Sequence, residues 1–506
     1  MRTKKSLYNF FTSYIPYIVL VVLGFIKIRA FIGNLGEELF ALNQLYINIF
    51  SYLSLAEAGI GVAFIYRLYK PLVDKQYKVI NAMYSGTKEL FKKIGIFVII
   101  IGVVLSFGVS LLIKNNPFTN LYIQTSFMLF ILKNAVDYFM FVPRFVIQAD
   151  QKLYKVNLLF YFYRILEVII EIILILLGIN YLIILMPGIF IKLVQNTIVN
   201  KKIFKLYPWL KETKEKDYAP KDDIKHMLAH RFVGLISNNV DIVVLSTFIG
   251  SKVVAIYAAY NYLTKYAMDT VAQIFNSMKD GLGNVLYTEN KKKIKEVVDE
   301  FFITFSYFGS LIAIVFYFIL DEFVSIWVGS EYIVSKLGLI MFIIILYYQI
   351  TIRSITIIRT TMGLFKETKV MAMVEAIINL VLSLILVHRM GLEGVLLATI
   401  IAFILTNFWY YPFVIYKKLF NHGIMNYMLK MGANIIITIC IIYTSAYLYP
   451  VMVIKPFNYE LVNWFISTSV FGLFITILLS IIFIICYKEF RRVLFRGLKA
   501  VRSIKR

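Results

Sequence analysis

Apolar runs of about 20 residues recur along this chain with only short polar stretches between them. At 1.5 Å of rise per residue, a helix needs about that length to cross a hydrocarbon core of roughly 30 Å. Transmembrane β-strands would be about ten residues long with strict alternation, a pattern the chain lacks. The expected fold class is therefore an all-α integral membrane protein with about fourteen transmembrane helices. Composition agrees: 60% of the 506 residues are apolar. The first apolar run leads into Lys27 and Arg29 and meets no small-residue cleavage site, so no cleavable signal peptide is expected. Cys440 and Cys486 both fall in apolar runs and say nothing about a disulfide compartment.

The expected helices are 8–33, 40–62, 94–113, 122–142, 156–178, 182–200, 228–249, 254–276, 299–320, 337–358, 370–388, 393–414, 431–450 and 461–486. With both termini placed in the cytoplasm, the cytoplasmic pieces hold 41 of the 53 Lys and Arg residues. The outer loops hold five: Lys114, Lys252, Lys336, Arg389 and Lys455. That asymmetry obeys the positive-inside rule and fixes the orientation. It also accounts for the net charge of +24 without a nucleic-acid partner. The chain divides accordingly: six helices at 1–200, a charged cytoplasmic linker at 201–225, six helices at 226–414, two further helices at 415–486, and a tail at 487–506. Phe31-Ile32-Gly33 and Phe248-Ile249-Gly250 close the first and seventh helices. Halves related in that way form the parallel repeat of several transporter folds. A three-residue match also arises by chance, so repeat and coincidence both stay open.

Seven basic residues lie within the expected spans: Lys27, Arg29, Lys133, Arg164, Lys192, Lys265 and Arg353. Seven acidic residues join them: Glu57, Asp137, Glu167, Glu171, Asp241, Asp269 and Glu375. Each costs about 2.5–3.5 kcal/mol or more at mid-bilayer unless it meets a partner or a wet cavity. Lys133 with Asp137 and Lys265 with Asp269 are spaced for pairing on their own helices, and Arg164 shares a face with Glu167 and Glu171. Neutralised structural pairs and a polar, cargo-facing stripe both fit those spacings. Lys27, Arg29, Lys192 and Arg353 have no such neighbour on their own helix. Ser237-Asn238-Asn239-Val240-Asp241 is too polar for lipid and is expected to face the interior.

No Gly-rich phosphate loop and no nucleophile motif is present, so neither an ATPase nor a hydrolase is expected, and no metal either. His226 and His230 have metal-ligand spacing, but no carboxylate completes the pattern, and an interfacial role is the simpler reading. No outer loop is long enough for the catalytic domain of a membrane polymerase. The tail 487–506 places Phe490, Val493, Leu494, Leu498, Val501 and Ile504 on one helical face and arginines and lysines around the rest. That suits an interfacial helix on anionic membrane lipids; 74–93 is similar but less regular.

Two stretches carry a resemblance. Residues 34–72, NLGEELFALNQLYINIFSYLSLAEAGIGVAFIYRLYKPL, and residues 238–263, NNVDIVVLSTFIGSKVVAIYAAYNYL, continuing to SMKDGLGN at 277–284, resemble the polysaccharide transporter family. That family belongs to the exporter superfamily that also holds multidrug extruders and the lipid II flippase. Ala255 stands where a Gly is common. The resemblance implies two six-helix bundles around a central cavity, with two helices appended. It implies a flippase for undecaprenyl-pyrophosphate-linked oligosaccharide in a bacterial cytoplasmic membrane, working by alternating access without a cofactor. The energy source would be a proton, a sodium ion or the membrane potential, and polysaccharide polymerase or assembly proteins would be partners. Asp241 is matched residue by residue. Asp241, with Asp269 and Glu57, is the candidate for ion coupling or gating. The cargo pyrophosphate needs cations in a low-dielectric site, and Arg29, Arg164, Lys265 and Arg353 are the candidates from burial. A lipid II flippase or multidrug extruder on the same fold, and a non-transporting scaffold of polysaccharide assembly, are the alternatives.

Overall fold

The computed structural model describes residues 2–57, 60–218, 240–276, 279–420, 424–454 and 456–504. Among the described residues the secondary structure is helical, with no strand. The chain packs as two units, Met1–Ala255 and Ile256–Arg506.

The first unit contains α1 (Arg2–Leu53), a 3-10 turn (Ser54–Glu57), α2 (Ile60–Val73), α3 (Tyr77–Ser106), α4 (Asn120–Met140), α5 (Pro143–Ala149), α6 (Tyr154–Leu176) and α7 (Tyr181–Leu206). It ends with α8, described over 240–248, and the first residues of α9 (Ser251–Asn276). Gly36, at φ 87° and ψ 161°, breaks α1 between the first two expected spans. Only glycine takes that conformation without strain, so the expected outer loop contracts to a kink. The second span gives way to the 3-10 turn at Ser54 rather than running as one helix to residue 62. α3 joins the charged stretch from Tyr77 to the third apolar run in one continuous helix. Pro143 opens α5, and the axis bends by 56° from α4. α1 and α6 run parallel in fixed register: Asn157 donates to Ser13 at 2.9 Å and Lys27 donates to Glu171 at 2.6 Å, both across 144 residues.

After α7 the chain turns back along the charged end of α3. Asn81 donates to the Trp209 carbonyl at 2.9 Å and accepts from the Lys211 amide at 3.1 Å. The Thr213 amide donates to Ser85 at 2.8 Å, and the Asp217 amide to the Ala82 carbonyl at 3.0 Å. Arg67 pairs with Asp217 at 2.7 Å, Lys88 with Glu212, and Lys216 with Glu89. Residues 207–218 are thus a fastened strap within a segment that reads in sequence as a plain charged linker.

The second unit holds the rest of α9, then α10 (Lys279–Thr288), α11 (Lys291–Val328), α12 (Lys336–Thr361), α13 (Phe365–Leu405), α14 (Asn407–Phe420), α15 (Met425–Met452), α16 (Glu460–Cys486) and α17 (Lys488–Ile504). α11 is its axle, packed by α12, α15, α16 and α17. Side-chain oxygens cap its start and that of α12, at Asn290 and Ser335. Gly391, at φ 59°, divides α13 into two of the expected spans. α17 is the expected amphipathic tail. Its Phe490 is buried against Tyr307 and Phe483, with ring centroids 4.8 and 5.5 Å away. Arg492 reaches Glu296 at 3.2 Å, and Arg496 bonds Glu300. Part of the basic face that suited anionic lipid is therefore turned onto acidic residues of α11.

Among the described residues seven helices, or helices merged across a kink, are long and apolar enough to span a membrane. Thr12–Leu53 and Phe365–Phe420 each hold two expected spans. The charged helices α3, α4, α6 and α9 hold four more, and α8 is the described part of the seventh. The protein is an integral membrane protein, and a count of about fourteen spans fits its helices.

Candidate functional site

The intramembrane charges of the first unit gather into one seam across α1, α4, α6 and α7. Lys133 of α4 bridges Glu167 of α6, at 2.7 Å, and Glu171, one turn further along α6. Glu171 also takes Lys27 of α1 at 2.6 Å. The four groups form an alternating cluster of two ammonium and two carboxylate charges. Glu167 and Glu171 are buried. Gly188 of α7 makes the room: a Cβ there would lie 2.6 Å from Lys133 Cε and 3.0 Å from Glu167 Oε1. A turn along α4, Lys192 of α7 meets Asp137 at 3.3 Å and Asn134 at 3.1 Å. Asn196 donates to the other oxygen of Asp137 at 2.9 Å.

This arrangement differs from the own-helix pairing that the spacing allowed. Lys133 and Asp137 do not pair with each other; each finds its counter-ion on a neighbouring helix. Side chains four apart lie side by side along one face, whereas facing helices can bring a carboxylate directly opposite an ammonium. Lys27 and Lys192, which lacked neighbours in sequence, have partners for the same reason. Arg164 loses its two glutamates to Lys133 and Lys27.

The four candidate cargo cations are all exposed: Arg29 on α1, Arg164 on α6, Lys265 on α9 and Arg353 on α12. Arg164, Lys265 and Arg353 make no ion pair among the described residues, and Lys265 does not bond Asp269. The parallel register of α1 and α6 places Arg164 level with residue 20 of α1, so it lies roughly 13 Å along the bundle from Arg29. Within the first unit Arg29 and Arg164 thus do not meet, and within the second Lys265 and Arg353 stand on separate helices. Of the candidate coupling residues, Asp241 is buried at the start of described α8, Glu57 is half-buried at the end of the 3-10 turn, and Asp269 is half-buried on α9. Ser237, Asn238 and Asn239, with His226 and His230, lie outside the described residues.

Two features escaped the sequence-based choice of site residues. Glu375 of α13 is buried, and Arg359 lies within electrostatic range. One turn on, Asn379 donates to Thr399 at 2.8 Å, with Ser383 buried beyond it. The signal was present as a carboxylate and an amide four residues apart in an apolar run. At the charged end of the second unit, Lys430 of α15 joins Asp299 of α11 at 2.9 Å and Glu489 of α17 at 3.1 Å. Tyr416 of α14 donates to Asp299 at 3.1 Å. Burial pushes the Glu489 carboxyl up, but a hydrogen bond from its own backbone amide and then Lys430 hold it below its usual range. No group of three or more metal-ligating side chains occurs among the described residues.

The fold is all-helical, with helices long and apolar enough to span a membrane, is divided into two units, and carries charges inside its spans. Solved structures share it. The chain superimposes on the lipid II flippase MurJ in its inward closed conformation with a TM-score of 0.67 at 16% identity, over 95% of this chain and 98% of that one. An inward-facing multidrug resistance MATE family transporter matches with a TM-score of 0.57 at 14% identity, over 77% of this chain and 93% of that one. A point mutant of the Vibrio cholerae MATE transporter VcmN matches at 0.56 and 17% identity, over 82% and 97%. No protein-family model matches the chain, and no curated protein matches it in sequence.

Proposed function

We propose that this protein is a flippase that moves undecaprenyl-pyrophosphate-linked oligosaccharide repeat units from the cytoplasmic to the outer leaflet of a bacterial cytoplasmic membrane by alternating access. The observation that carries the reading is the sorting of intramembrane charge. Lys27, Lys133 and Lys192 are matched by carboxylates inside the first unit. Arg164, Lys265 and Arg353 are exposed on apolar helices, where lipid contact would be costly. A diphosphate cargo gives such cations a counter-charge. Arg29 and Arg164 lie at different depths, which suits successive contacts during passage better than one clamp. The appended helices support a lipid-linked cargo over a drug. The likeness to the lipid II flippase runs over 95% of this chain, against 77% and 82% for the two transporters. Lipid II itself is the competing cargo on the same grounds. Asp241, with Asp269 and Glu57, is assigned to gating or ion coupling.

The test is purified protein in liposomes with fluorescent lipid-linked oligosaccharide, with lipid II as competitor. The protein should flip the oligosaccharide lipid. Arg29→Ala, Arg164→Ala, Lys265→Ala and Arg353→Ala should each lower the rate about tenfold or more, the loss expected when a charged contact worth about 1.5–3 kcal/mol is removed. Undiminished flipping by all four would place the cargo site elsewhere. No movement of any lipid-linked sugar would favour the scaffold reading.

A further inference from the structure

We propose that the Lys27–Glu171–Lys133–Glu167 cluster is a proton-coupling site, in which an anionic cargo draws Lys27 away and one of the two carboxylates takes up a proton in its place. The inference rests on the reading of the cargo as a lipid pyrophosphate. It starts from the count of charges: two ammonium groups and two carboxylates, closed on one another. The four are not equally accessible. The side chain of Lys27 is 29% exposed, against 12% for Lys133, 9% for Glu167 and 5% for Glu171. Lys133 is held by both carboxylates and enclosed by the Gly188 backbone. Lys27 has a single carboxylate partner, so it is the member free to exchange.

Among the described residues near the cluster, Arg164, one turn before Glu167 on α6, is exposed and is itself a candidate cargo contact, and Arg29 lies two residues past Lys27 on α1. α7 supplies Gly188 at the cluster and the phenol of Tyr181 within electrostatic range of Glu171. Tyr181 donates to Asn43 at 2.9 Å, and Tyr46 bonds the Ile123 carbonyl and Ser126. Lys192 is engaged with Asp137 and Asn134. Once Lys27 turns to a phosphate, one ammonium remains for two buried carboxylates. A buried carboxylate without a counter-charge favours its neutral form. The step is an acid–base exchange: a proton from water adds to a carboxylate oxygen of Glu171 or Glu167, and it leaves when the cargo departs and Lys27 returns. A pyrophosphate diester carries two negative charges. With one proton aboard, the loaded carrier moves one net negative charge outward, a direction that an inside-negative potential favours.

The probe is undecaprenyl-pyrophosphoryl-N-acetylglucosamine, a diester whose phosphates do not titrate near neutral pH. Binding to purified protein in weakly buffered micelles, followed with a pH indicator, should take up about one proton per cargo bound. By linkage, cargo affinity should rise as pH falls, by up to about tenfold per pH unit. Lys27→Met starts with the cluster already short of a cation. Glu171→Gln leaves one carboxylate for Lys133 after Lys27 departs. Lys27→Met, which lacks the ammonium that turns to the phosphate, should bind the probe more weakly and without proton uptake, and Glu171→Gln should bind it with the uptake lost. Binding by the natural protein without proton uptake, or with sodium taken up instead, overturns the coupling and leaves the cargo reading standing. Uptake that persists in both variants overturns it too. Failure to bind the probe removes the cargo reading and this inference with it. Should one variant fail to fold, the stoichiometry of the natural protein and the other variant still decide.

Discussion

Lys133 carries an ammonium group into an apolar bundle and is tolerated there because Glu167 and Glu171 meet it from the next helix. Removing one member of a buried ion pair costs about 3–5 kcal/mol, because the remaining charge stays behind unmatched. Lys133→Met should therefore lower the thermal midpoint of the purified protein substantially. Adding Glu167→Gln leaves Lys27 and Glu171 as a balanced pair and should recover much of the loss, a non-additivity that a double-mutant cycle in thermal unfolding measures. Lys265 and Asp269 give the opposite expectation. No bond joins them, so Asp269→Lys should not restore flipping to Lys265→Glu. At this scale the sequence shows which residues are charged and buried, since an ionisable side chain in an apolar run is visible without coordinates. Its partner is not visible. Spacing on one helix favours Asp137 for Lys133, while the actual partners lie 34 and 38 positions away, brought close by the packing of α4 on α6. Glu375 was likewise readable as an intramembrane acid, but its burial became apparent only with α13 packed.

The strap at 207–218 belongs to the scale of elements. Alternation of lysine and glutamate suggests a solvated linker, and nothing in local propensity says that its backbone will pair with Asn81, Ala82 and Ser85 of α3. Gly86 is what allows the approach: a Cβ there would lie 2.4 Å from the Asp217 carbonyl oxygen. Gly86→Ala should push the strap away and speed hydrogen exchange at the Lys211, Thr213 and Asp217 amides. The strap is also sensitive to acid. Hydrogen bonds from Lys216, then Lys93, then Tyr218 lower the Glu89 carboxyl from 4.5 to about 2. A depressed carboxyl stabilises the strap above its free value, and the contribution fades as pH falls from about 4.5 towards 2. Exchange at these amides should therefore quicken across that window, and Glu89→Gln should show the faster rate already at neutral pH. An unchanged pH profile in Glu89→Gln would mean that another group holds the strap. The helices themselves were far more legible, because hydrophobic length determines a span. What shifted were the joints. Gly36 and Gly391 turn expected loops into kinks within continuous helices, because a single positive-φ residue can reverse a chain that composition alone would give a loop.

At the scale of the whole molecule, the expected orientation rests on charge, and many of the basic residues it places inside are also engaged in ion pairs. The basic residues assigned to the cytoplasm include those that hold the strap through Arg67, Lys88 and Lys216 in the first unit. In the second unit they include Lys430, Arg492 and Arg496, which bind Asp299, Glu489, Glu296 and Glu300. The expected outer ends carry few charges and are closed by short capped turns, such as Asn180 accepting from the Leu182 amide at 2.9 Å. Lysine and arginine near the ends of spans resist translocation, so a chain expected to hold 41 of its 53 basic residues in cytoplasmic pieces should insert with those pieces inside. Reporter fusions at Asn34, Asn115, Asn180 and Ser330 should be active outside the cell. Fusions after Lys214 and at the C-terminus should be active inside. Asn34 is the most exacting of these sites, because the turn between the first two spans is no more than the kink at Gly36. If α1 crossed the membrane once as a single long helix, Asn34 would report from within the bilayer and every later site would change sides. An inside signal at Asn180 together with an outside signal at Lys214 would establish that inverted topology, and it would move the strap, the Lys430 cluster and α17 to the outer face.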